Sequence, residues 1–280
     1  MATVTALRRY PVKSMLGEPL TSVAVTARGL HGDRVAAVLD GTGAVGSAKH
    51  PRKWGRLLGC GATFGASVTI GLPDGTAHSP GDPELDARLS ELLGREVSVS
   101  DDPSRAGGAL EREVPAYEGG LPEVLRGTAR TDDTGTSVTS GGVAPGTFFD
   151  FGAVHLVTTA SLARLREACP TGDFDPRRFR PNLVVDTPDV PGFPEDAWVG
   201  ARLRVGGALF RVTVPTPRCV LPALAQAGLP ADPAVMRTVA REHRVPVFGL
   251  GRLSCVGVYL EVLEPGTVRL GDPVAVQPSP

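Results

Sequence analysis

A single cysteine, Cys219, occupies a position where a thiolate could do chemistry. The apolar run Leu209–Val214 and the segment Pro215-Thr216-Pro217-Arg218 precede it, which predicts a strand with Cys219 at its mouth. The neighbouring Arg218 favours the ionised sulfur, the form that binds soft metals and attacks electrophiles. The alternative is a buried structural cysteine, because free cysteine also packs well as a small hydrophobe.

Two segments near the N-terminus carry polar side chains at turns. Tyr10-Pro11-Val12-Lys13-Ser14 follows a predicted strand, and its lysine and serine could hold a phosphate or another polar ligand, or simply face solvent. Gly32-Asp33-Arg34 precedes the next apolar run. Asp33 and Arg34 could pair locally, or Arg34 could point into a site, and the sequence leaves this choice open.

A third basic segment, Asp175 to Asn182, leads into another apolar run. In extended backbone the side chains of Arg178, Arg180 and Asn182 would point the same way, and such a row could clasp a phosphate and the edge of a heterocycle. The alternative is ordinary ion pairing between these arginines and nearby aspartates. His155, inside an apolar run, is interpreted as a core histidine.

The composition excludes several classes of protein. With 29 basic and 30 acidic residues the net charge is −1, so no global field recruits nucleic acid or an anionic membrane, and the short basic cluster Lys49 to Trp54 is interpreted as a solvated face. The four cysteines lack C-x-x-C spacing, which argues against a zinc ribbon, an iron–sulfur cluster or a disulfide scaffold. Neither a signal peptide nor a membrane span is recognisable, so we expect a cytoplasmic monomer.

Glycine and proline are dispersed between short apolar runs, a pattern that predicts a mainly β protein with a few helices, of the barrel or sandwich type. One helix is predicted to begin at Pro83 after the N-cap Asp82, one to cover Ser161 to Glu167, and one to begin at Pro233. The strands are predicted at Val4–Leu7, Val23–Val25, Val35–Leu39, Ala66–Ile70, Val97–Val99, Val154–Val157, Leu183–Val185, Leu203–Val205, Leu209–Val214, Val256–Val262 and Val274–Val276.

Taken in order, these segments resemble the MOSC-domain superfamily, the molybdenum-cofactor sulfurase C-terminal proteins, in the form with an N-terminal MOSC-associated β-barrel. The resemblance spans nearly the whole chain; each motif is weak alone, and their joint order is specific. The motifs are Tyr10-Pro11-Val12-Lys13-Ser14, Gly32-Asp33-Arg34, Thr159-Ala160-Ser161-Leu162, Phe179-Arg180-Pro181-Asn182, Glu195-Asp196-Ala197-Trp198-Val199-Gly200, Pro217-Arg218-Cys219, Gly257-Val258-Tyr259 and the stretch Pro265 to Pro273.

The resemblance implies an N-terminal β-barrel domain at residues 1–105, a linker or lid at 106–147, and a β-barrel-type MOSC domain at 148–280, with a cofactor pocket shared between the two domains. It implies that Cys219 is the protein ligand to molybdenum, with Asp150 as an acidic catalytic group near the metal and Arg218 balancing the anionic cofactor. The pterin and its phosphate would be held by Lys13, Ser14, Arg34, Arg180 and Asn182, with Thr158, Thr159 and Tyr259 completing the pocket. Pro217 stands where the family's reductases tend to have serine, and Thr159 where they tend to have glutamate.

Within the family, the chain resembles the mitochondrial amidoxime-reducing component and the bacterial N-hydroxy-compound reductases. This implies a molybdenum-cofactor oxidoreductase that removes oxygen from an N–O or S–O group of a small molecule. A ferredoxin-like cysteine cluster is missing, so we expect electrons from a separate ferredoxin or flavoprotein. The alternatives are a sulfur transferase carrying a persulfide on Cys219, a protein that merely stores the cofactor, and pyridoxal phosphate on Lys13.

Overall fold

The structure is a computed structural model that describes residues 1–107, 110–114, 123–141, 146–247 and 249–277. The first half of the chain contains strands β1 (Ala2–Arg9), β2 (Glu18–Leu20), β3 (Ser22–Thr26), β4 (Gly29–Leu30), β5 (Ala37–Asp40), β6 (Gly61–Phe64), β7 (Val68–Gly71), β8 (Ala77–His78), β9 (Val97–Ser100), β10 (Leu110–Glu113), β11 (Ala129–Thr131) and β12 (Ser137–Gly141). The second half contains β13 (Val154–Thr158), β14 (Leu183–Asp186), β15 (Arg202–Val205), β16 (Ala208–Pro217), β17 (Arg244–Pro246), β18 (Arg252–Glu264), β19 (Gly266–Arg269) and β20 (Pro273–Gln277).

The helices are α1 (Pro51–Trp54), α2 (Pro83–Leu93), α3 (Glu123–Arg126), α4 (Thr159–Ala168) and α5 (Pro233–Glu242). Capping side chains fix the starts of the longer ones: Asp82 accepts a hydrogen bond from the Glu84 amide, and Asp232 does the same for the Ala234 amide. Gly94 ends α2 in the left-handed conformation. The three helices predicted from the sequence are confirmed. Within the described residues, no helix is both long and apolar enough to cross a membrane.

Seven strands close into a β-barrel. They follow the order β13, β14, β1, β20, β15, β16 and β18, and β18 pairs with β13 to complete the circle. The alternating apolar residues of these strands, among them Leu7, Leu156, Phe210 and Leu260, fill the interior with almost no exposed surface. The predicted mainly β fold with a barrel is therefore confirmed.

The N-terminal strand β1 belongs to this barrel. It lies antiparallel between β14 and β20, with Leu7 opposite Leu183 and Ala2 opposite Val274. Residues from the first ten positions and from beyond residue 150 thus share one hydrophobic core. The hydrogen bonds of this sheet therefore link the N-terminal strand directly to strands from the second half of the chain.

A second core lies between residues 12 and 99. Trp54, Leu57 and Ile70 are buried there against Leu85 and Leu89, the apolar stripe of helix α2. The two-stranded sheet β5–β9 and the three-stranded sheet β6–β7–β8 contribute residues to this core. It supports the loops that carry the lysines and arginines discussed below.

The stretch predicted as a linker or lid contains regular structure among its described residues. Strands β10, β12 and β11 form a small antiparallel sheet, with Leu110 opposite Gly141. Polar contacts tie this sheet to the N-terminal half of the chain. Lys53 Nζ lies 2.9 Å from Glu111 and 3.3 Å from Asp132. His50 Nε2 lies 2.5 Å from Asp132. Residues 108–109, 115–122 and 142–145 of the predicted linker lie outside the described residues.

Candidate functional site

Cys219 lies two residues after the end of β16 and is half-buried, as predicted for a cysteine at the mouth of a strand. Its sulfur borders a cavity of about 80 Å³. The cavity is lined by Lys13, Ser14, Arg34, Ser47, Lys49, Asp150, His155, Phe179, Arg180, Pro217, Arg218, Cys219, Leu221 and Tyr259. The fold therefore brings together residues from four distant parts of the sequence.

The loop after β1 delivers Lys13 and Ser14. The Lys13 amide donates to the Ala36 carbonyl at 3.0 Å, and the Ser14 hydroxyl accepts the Ala48 amide at 3.0 Å. Both side chains are at least nine-tenths buried. The Ser14 hydroxyl oxygen is thus already used to fix the backbone that precedes Lys49.

Unusual backbone geometry marks the same site. Four non-glycine residues in the described part of the chain have positive φ, and three of them line the pocket: Ser14 (64°), Arg34 (50°) and Arg180 (55°). Residues other than glycine enter this region at an energetic cost, and such conformations cluster at functional sites. The strain supports a ligand-binding role for the pocket.

The Tyr10 ring anchors the two arginines. The guanidinium carbon of Arg180 lies 4.2 Å from the centre of the ring, and that of Arg34 lies 5.4 Å from it. Asp33 forms a salt bridge with Arg34, and its other oxygen accepts the Tyr10 amide at 2.6 Å. Arg34 therefore does both things that the sequence left open: it pairs locally and it lines the site.

Asp150 lies between two lysines. It forms a salt bridge with Lys13, and its second oxygen lies 2.6 Å from Lys49 Nζ. Burial raises the pKa of the Asp150 carboxyl, but the charges of Lys13 and Lys49 outweigh this effect and lower it strongly. Burial, reinforced by Lys49, lowers the pKa of Lys13 from 10.5 to about 8 although Asp150 opposes the change. At Lys49 burial is again the largest single effect and lowers the pKa, but the charges of Asp150, Tyr259 and Cys219 together outweigh it, so the pKa of Lys49 is raised.

His155 and Tyr259 form an aromatic wall. Their ring centres are 5.7 Å apart, and His155 Nε2 lies 3.1 Å from the Val256 carbonyl oxygen. Burial and the nearby charge of Arg218 lower the pKa of His155 to about 3, so this ring stays neutral at physiological pH. His155 is the buried, hydrogen-bonded histidine that the sequence indicated, and it also borders the pocket.

The lining is strongly basic. Among the described residues it holds five cationic side chains (Lys13, Arg34, Lys49, Arg180 and Arg218) and one carboxylate, that of Asp150. Arg218 donates to the Phe179 carbonyl at 2.9 Å, while its buried Nε has no hydrogen-bond partner among the described residues. A half-buried thiol beside this excess of positive charge fits an anionic group that also offers a soft metal.

Three of the predicted cofactor-binding residues do not line the pocket. Thr158 caps helix α4 and donates to Glu195 at 2.6 Å, and Thr159 donates to Asp186 at 2.7 Å. The Asn182 side chain accepts the His155 amide at 3.0 Å and donates to the Arg8 carbonyl at 3.2 Å. Asn182 therefore acts through His155, whose backbone it holds in place.

The predicted row of Arg178, Arg180 and Asn182 is wrong, because the backbone there is not extended. Residues Pro176–Phe179 form a 3-10 turn, and Arg180 is left-handed. Arg178 is fully buried and contacts Asp173 at 2.7 Å and the Pro230 carbonyl at 2.8 Å. It joins loops of the chain together, whereas Arg180 alone enters the pocket.

The sequence reasoning missed Lys49 and Ser47, which line the pocket beside Asp150. The interpretation of Lys49 as part of a solvated face is wrong, because Lys49 is half-buried and its ammonium contacts Asp150. One signal was available in the sequence: the chain contains only three lysines, and two of them, Lys49 and Lys53, stand in the segment Lys49 to Trp54. Spacing alone could not place Lys49 next to Asp150, because 100 residues separate them.

The sequence matches two family models, the MOSC N-terminal beta barrel domain over residues 1–54 and the MOSC domain over residues 145–275. No curated protein matches the sequence. Among solved structures, the chain is similar to the YUAD protein from Bacillus subtilis, at 13% identity, with 100% of this chain and 97% of that chain covered and a TM-score of 0.47. It is also similar to YiiM from Geobacillus stearothermophilus, at 20% identity and a TM-score of 0.32, with 45% of this chain and 54% of that chain covered. The similarity to YiiM from Escherichia coli has 19% identity and a TM-score of 0.31, with 49% of this chain and 59% of that chain covered. Because the two family models match its two ends in the family's order, the chain belongs to the MOSC superfamily, in the form with an N-terminal β-barrel domain.

Proposed function

We propose that this protein is a molybdenum-cofactor oxidoreductase that removes oxygen from an N-oxygenated or S-oxygenated small molecule. The observation that carries the proposal is the position of Cys219, half-buried at the wall of a pocket where five cationic side chains converge. Thiolate is a preferred ligand of soft metals, and buried basic groups compensate anionic ligands. Membership of the MOSC superfamily is consistent with this cofactor.

The donor set fits such a group in its chemistry, with one thiol for a soft metal and several cationic side chains for an anion. Cys219 would hold the metal, and Arg34, Arg180 and Arg218 would bind the anionic pterin from the side of Tyr10 and Phe179. The unpartnered Nε of Arg218 is a donor available to it. When bound, the cofactor supplies a two-electron metal centre to which an N–O or S–O group can give up its oxygen.

Lys13 is suited to hold and release a proton in this pocket. Its ammonium contacts Asp150 and donates to the Phe148 carbonyl at 2.8 Å, so the position of the proton is fixed. With a pKa of about 8, the group exchanges a proton near neutral pH at small cost, as a general acid requires. The neutral His155 leaves this role to Lys13 and its partner Asp150.

Elemental analysis tests the proposal. Protein produced in a bacterium that makes the molybdenum cofactor should contain near-stoichiometric molybdenum and pterin, and the same protein from a strain without cofactor synthesis should contain neither. Loaded protein should reduce an N-hydroxylated test compound when a chemically reduced viologen replaces the electron-donor protein. Well-folded protein without molybdenum or pterin from the competent strain would contradict the proposal.

A sulfur transferase with a persulfide on Cys219 is the second candidate. The cavity that Cys219 lines is only about 80 Å³, which suits a small adduct such as a persulfide on a nucleophilic cysteine. Intact-protein and peptide mass spectrometry distinguish the two functions. The mass of one added sulfur atom on Cys219, in protein free of molybdenum, would favour sulfur transfer over reduction.

A further inference from the structure

The segment Glu195 to Gly200 does not line the Cys219 pocket and takes no part in the proposed reduction. It covers most of the 3-10 turn Pro194–Trp198 and the two residues after it. Asp196 of this segment lies 2.6 Å from Nε2 of His243, the first residue after helix α5. The His243 side chain is 7% exposed, so the contact lies at the edge of the protein interior.

The His243 ring faces an acceptor oxygen with each of its two nitrogens. Nε2 faces the Asp196 carboxylate, and Nδ1 lies 2.8 Å from the Cys255 carbonyl oxygen. A neutral imidazole has a single N–H, so it would satisfy one acceptor and direct a lone pair at the other. A proton shared with Asp196 resides on the ring, because the ordinary pKa of histidine, about 6.5, exceeds that of aspartic acid, about 3.9. Both hydrogen bonds therefore form together in the cationic ring.

The surroundings of the ring stabilise this positive charge. The Phe193 ring lies parallel to it, with ring centres 3.7 Å apart, and an aromatic face attracts a cation. The ring also follows the last turn of α5, at the negative end of the helix dipole. Burial lowers the pKa of His243, but the hydrogen bonds to Asp196 and Cys255 and the charges of Asp196 and Glu195 together outweigh it, so the pKa is raised.

The other charged or titratable groups around His243 have partners of their own. Glu242 pairs with Arg164 at 2.7 Å, and Arg244 donates to the Arg252 carbonyl at 2.9 Å. Glu195 accepts two hydroxyl groups at 2.6 Å, and burial raises its pKa. Burial also raises the pKa of the Cys255 thiol to about 12, although the charge of Arg218 opposes the change. The Asp196 carboxylate is therefore the acid that holds the His243 proton.

One peptide group connects His243 to the segment that carries Cys219. The Cys255 amide donates to the His243 carbonyl at 3.1 Å. In the same peptide group, the Ser254 carbonyl accepts the Arg218 amide at 2.8 Å. A change at His243 thus reaches Arg218, the residue before Cys219, through two backbone hydrogen bonds.

We propose that His243, protonated and clamped by Asp196, is a positioning residue for Cys219. Loss of the proton removes one of the two hydrogen bonds of the ring, so the Ser254–Cys255 peptide group can shift and take Arg218 with it. Because the folded state raises the pKa of His243, the clamp is complete at pH values below the ordinary histidine pKa and is released as the pH rises through the raised value. This role rests on the proposed function of Cys219, whichever cofactor or adduct the thiol carries.

An NMR titration with pH on isotope-labelled protein without cofactor tests the proposal. The His243 ring should titrate with a midpoint above 6.5, and the Arg218 amide resonance should move with the same midpoint. Asp196→Asn should lower both midpoints together. Asp82→Asn is the matched control, since it removes a carboxylate 2.9 Å from the His78 ring, and it should change neither midpoint. An Arg218 amide that does not follow the His243 ring in the wild type would overturn the proposal, and this result needs no variant.

Alkylation of the Cys219 thiol measures the effect on the site, in a Cys169→Ser background where the other two cysteines are buried. The ratio of the alkylation rates with and without Asp196→Asn should be near one below both His243 midpoints and above both. Between them it should depart from one, by up to about tenfold for each pH unit that separates the midpoints. A ratio that is the same at every pH would show a merely structural effect and overturn the proposal. Protein that never acquires molybdenum gives the same readout, so failure of the proposed reduction is a separate result.

Discussion

Lys13 shows how the pocket changes the chemistry of one residue. Its side chain is 5% exposed and touches Asp150, yet burial and the neighbouring Lys49 lower its pKa to about 8. The unfolded chain returns the group to about 10.5. Between these values the unfolded state binds more protons than the folded state, so this residue makes the free energy of unfolding rise with pH.

Replacing Lys13 by methionine removes this dependence. We expect the difference in unfolding free energy, wild type minus Lys13→Met, to rise from pH 8 to pH 10.5, with a slope of at most about 1.4 kcal/mol per pH unit. Burial raises the pKa of the Cys255 thiol from 9.0 to about 12 in the folded chain, so the unfolded thiol also titrates in this range, but it affects both proteins equally. Denaturant titrations at several pH values measure the difference, and a flat difference would contradict the lowered pKa.

Much of the site could be predicted from motifs at residue scale, but not all of it. Lys13, Arg34 and Cys219 stand in short ordered motifs, and the structure brings them to one pocket. Thr159 and Asn182 stand in such motifs too, yet the Thr159 hydroxyl donates to Asp186 and the Asn182 side chain holds the His155 backbone. Motif order identifies which residues matter, whereas long-range packing decides which of them face the ligand.

At the scale of elements, a bulge in β18 shapes the wall of the pocket. Pro215 lies opposite Val258 and Pro217 opposite Cys255, so β18 has one extra residue at this point. Gly257 occupies the bulge with a φ of 79°. A Cβ there would lie 2.2 Å from the Leu156 carbonyl oxygen and 2.6 Å from His155 Nε2, so only glycine fits.

Two glycine variants separate the contact from the backbone conformation. Gly271 has a φ of 82°, and a Cβ at this position would meet no atom within 4 Å. We expect Gly271→Ala to cost about 1 kcal/mol of unfolding free energy from its left-handed backbone alone. Gly257→Ala should cost at least about 3 kcal/mol, because the barrel must also shift at the β13–β18 junction. Equal losses in thermal or denaturant unfolding would contradict the close contact.

The small sheet β10–β12–β11 shows where sequence patterns fail at this scale. Strand β12, Ser-Val-Thr-Ser-Gly, has a single large apolar residue, so its composition resembles that of a linker. Ionic contacts of Glu111 with Lys53 and Arg130 help hold these strands. Such pairs join residues up to 82 positions apart, as His50 and Asp132 are, and no local periodicity indicates them.

At the scale of the molecule, the order of the barrel strands makes the two ends of the chain depend on each other. Strand β1 separates β14 from β20 and contributes Val4 and Leu7 to the core of the barrel. The boundaries predicted at residues 105 and 148 would divide this barrel between two fragments. The MOSC segment therefore lacks one of its seven strands when it stands alone.

We expect residues 148–280, produced alone, to fail to fold into a barrel. Without β1, two adjacent strands lose their pairing and the apolar interior is open to water. Co-production with residues 1–147 should restore the folded complex. Amide-proton NMR dispersion and thermal unfolding of each preparation measure this, and a cooperative unfolding transition of 148–280 alone would contradict the shared barrel.

X-ray absorption at the molybdenum edge tests most directly whether the Cys219 sulfur is the metal's protein ligand. Wild-type protein and the Cys169→Ser control, altered at a half-buried thiol outside the pocket, should show the same sulfur shell. Cys219→Ser should keep its cofactor through the basic side chains and should lose one sulfur neighbour, with a lighter ligand in its place. An unchanged sulfur shell in Cys219→Ser would contradict the role assigned to Cys219.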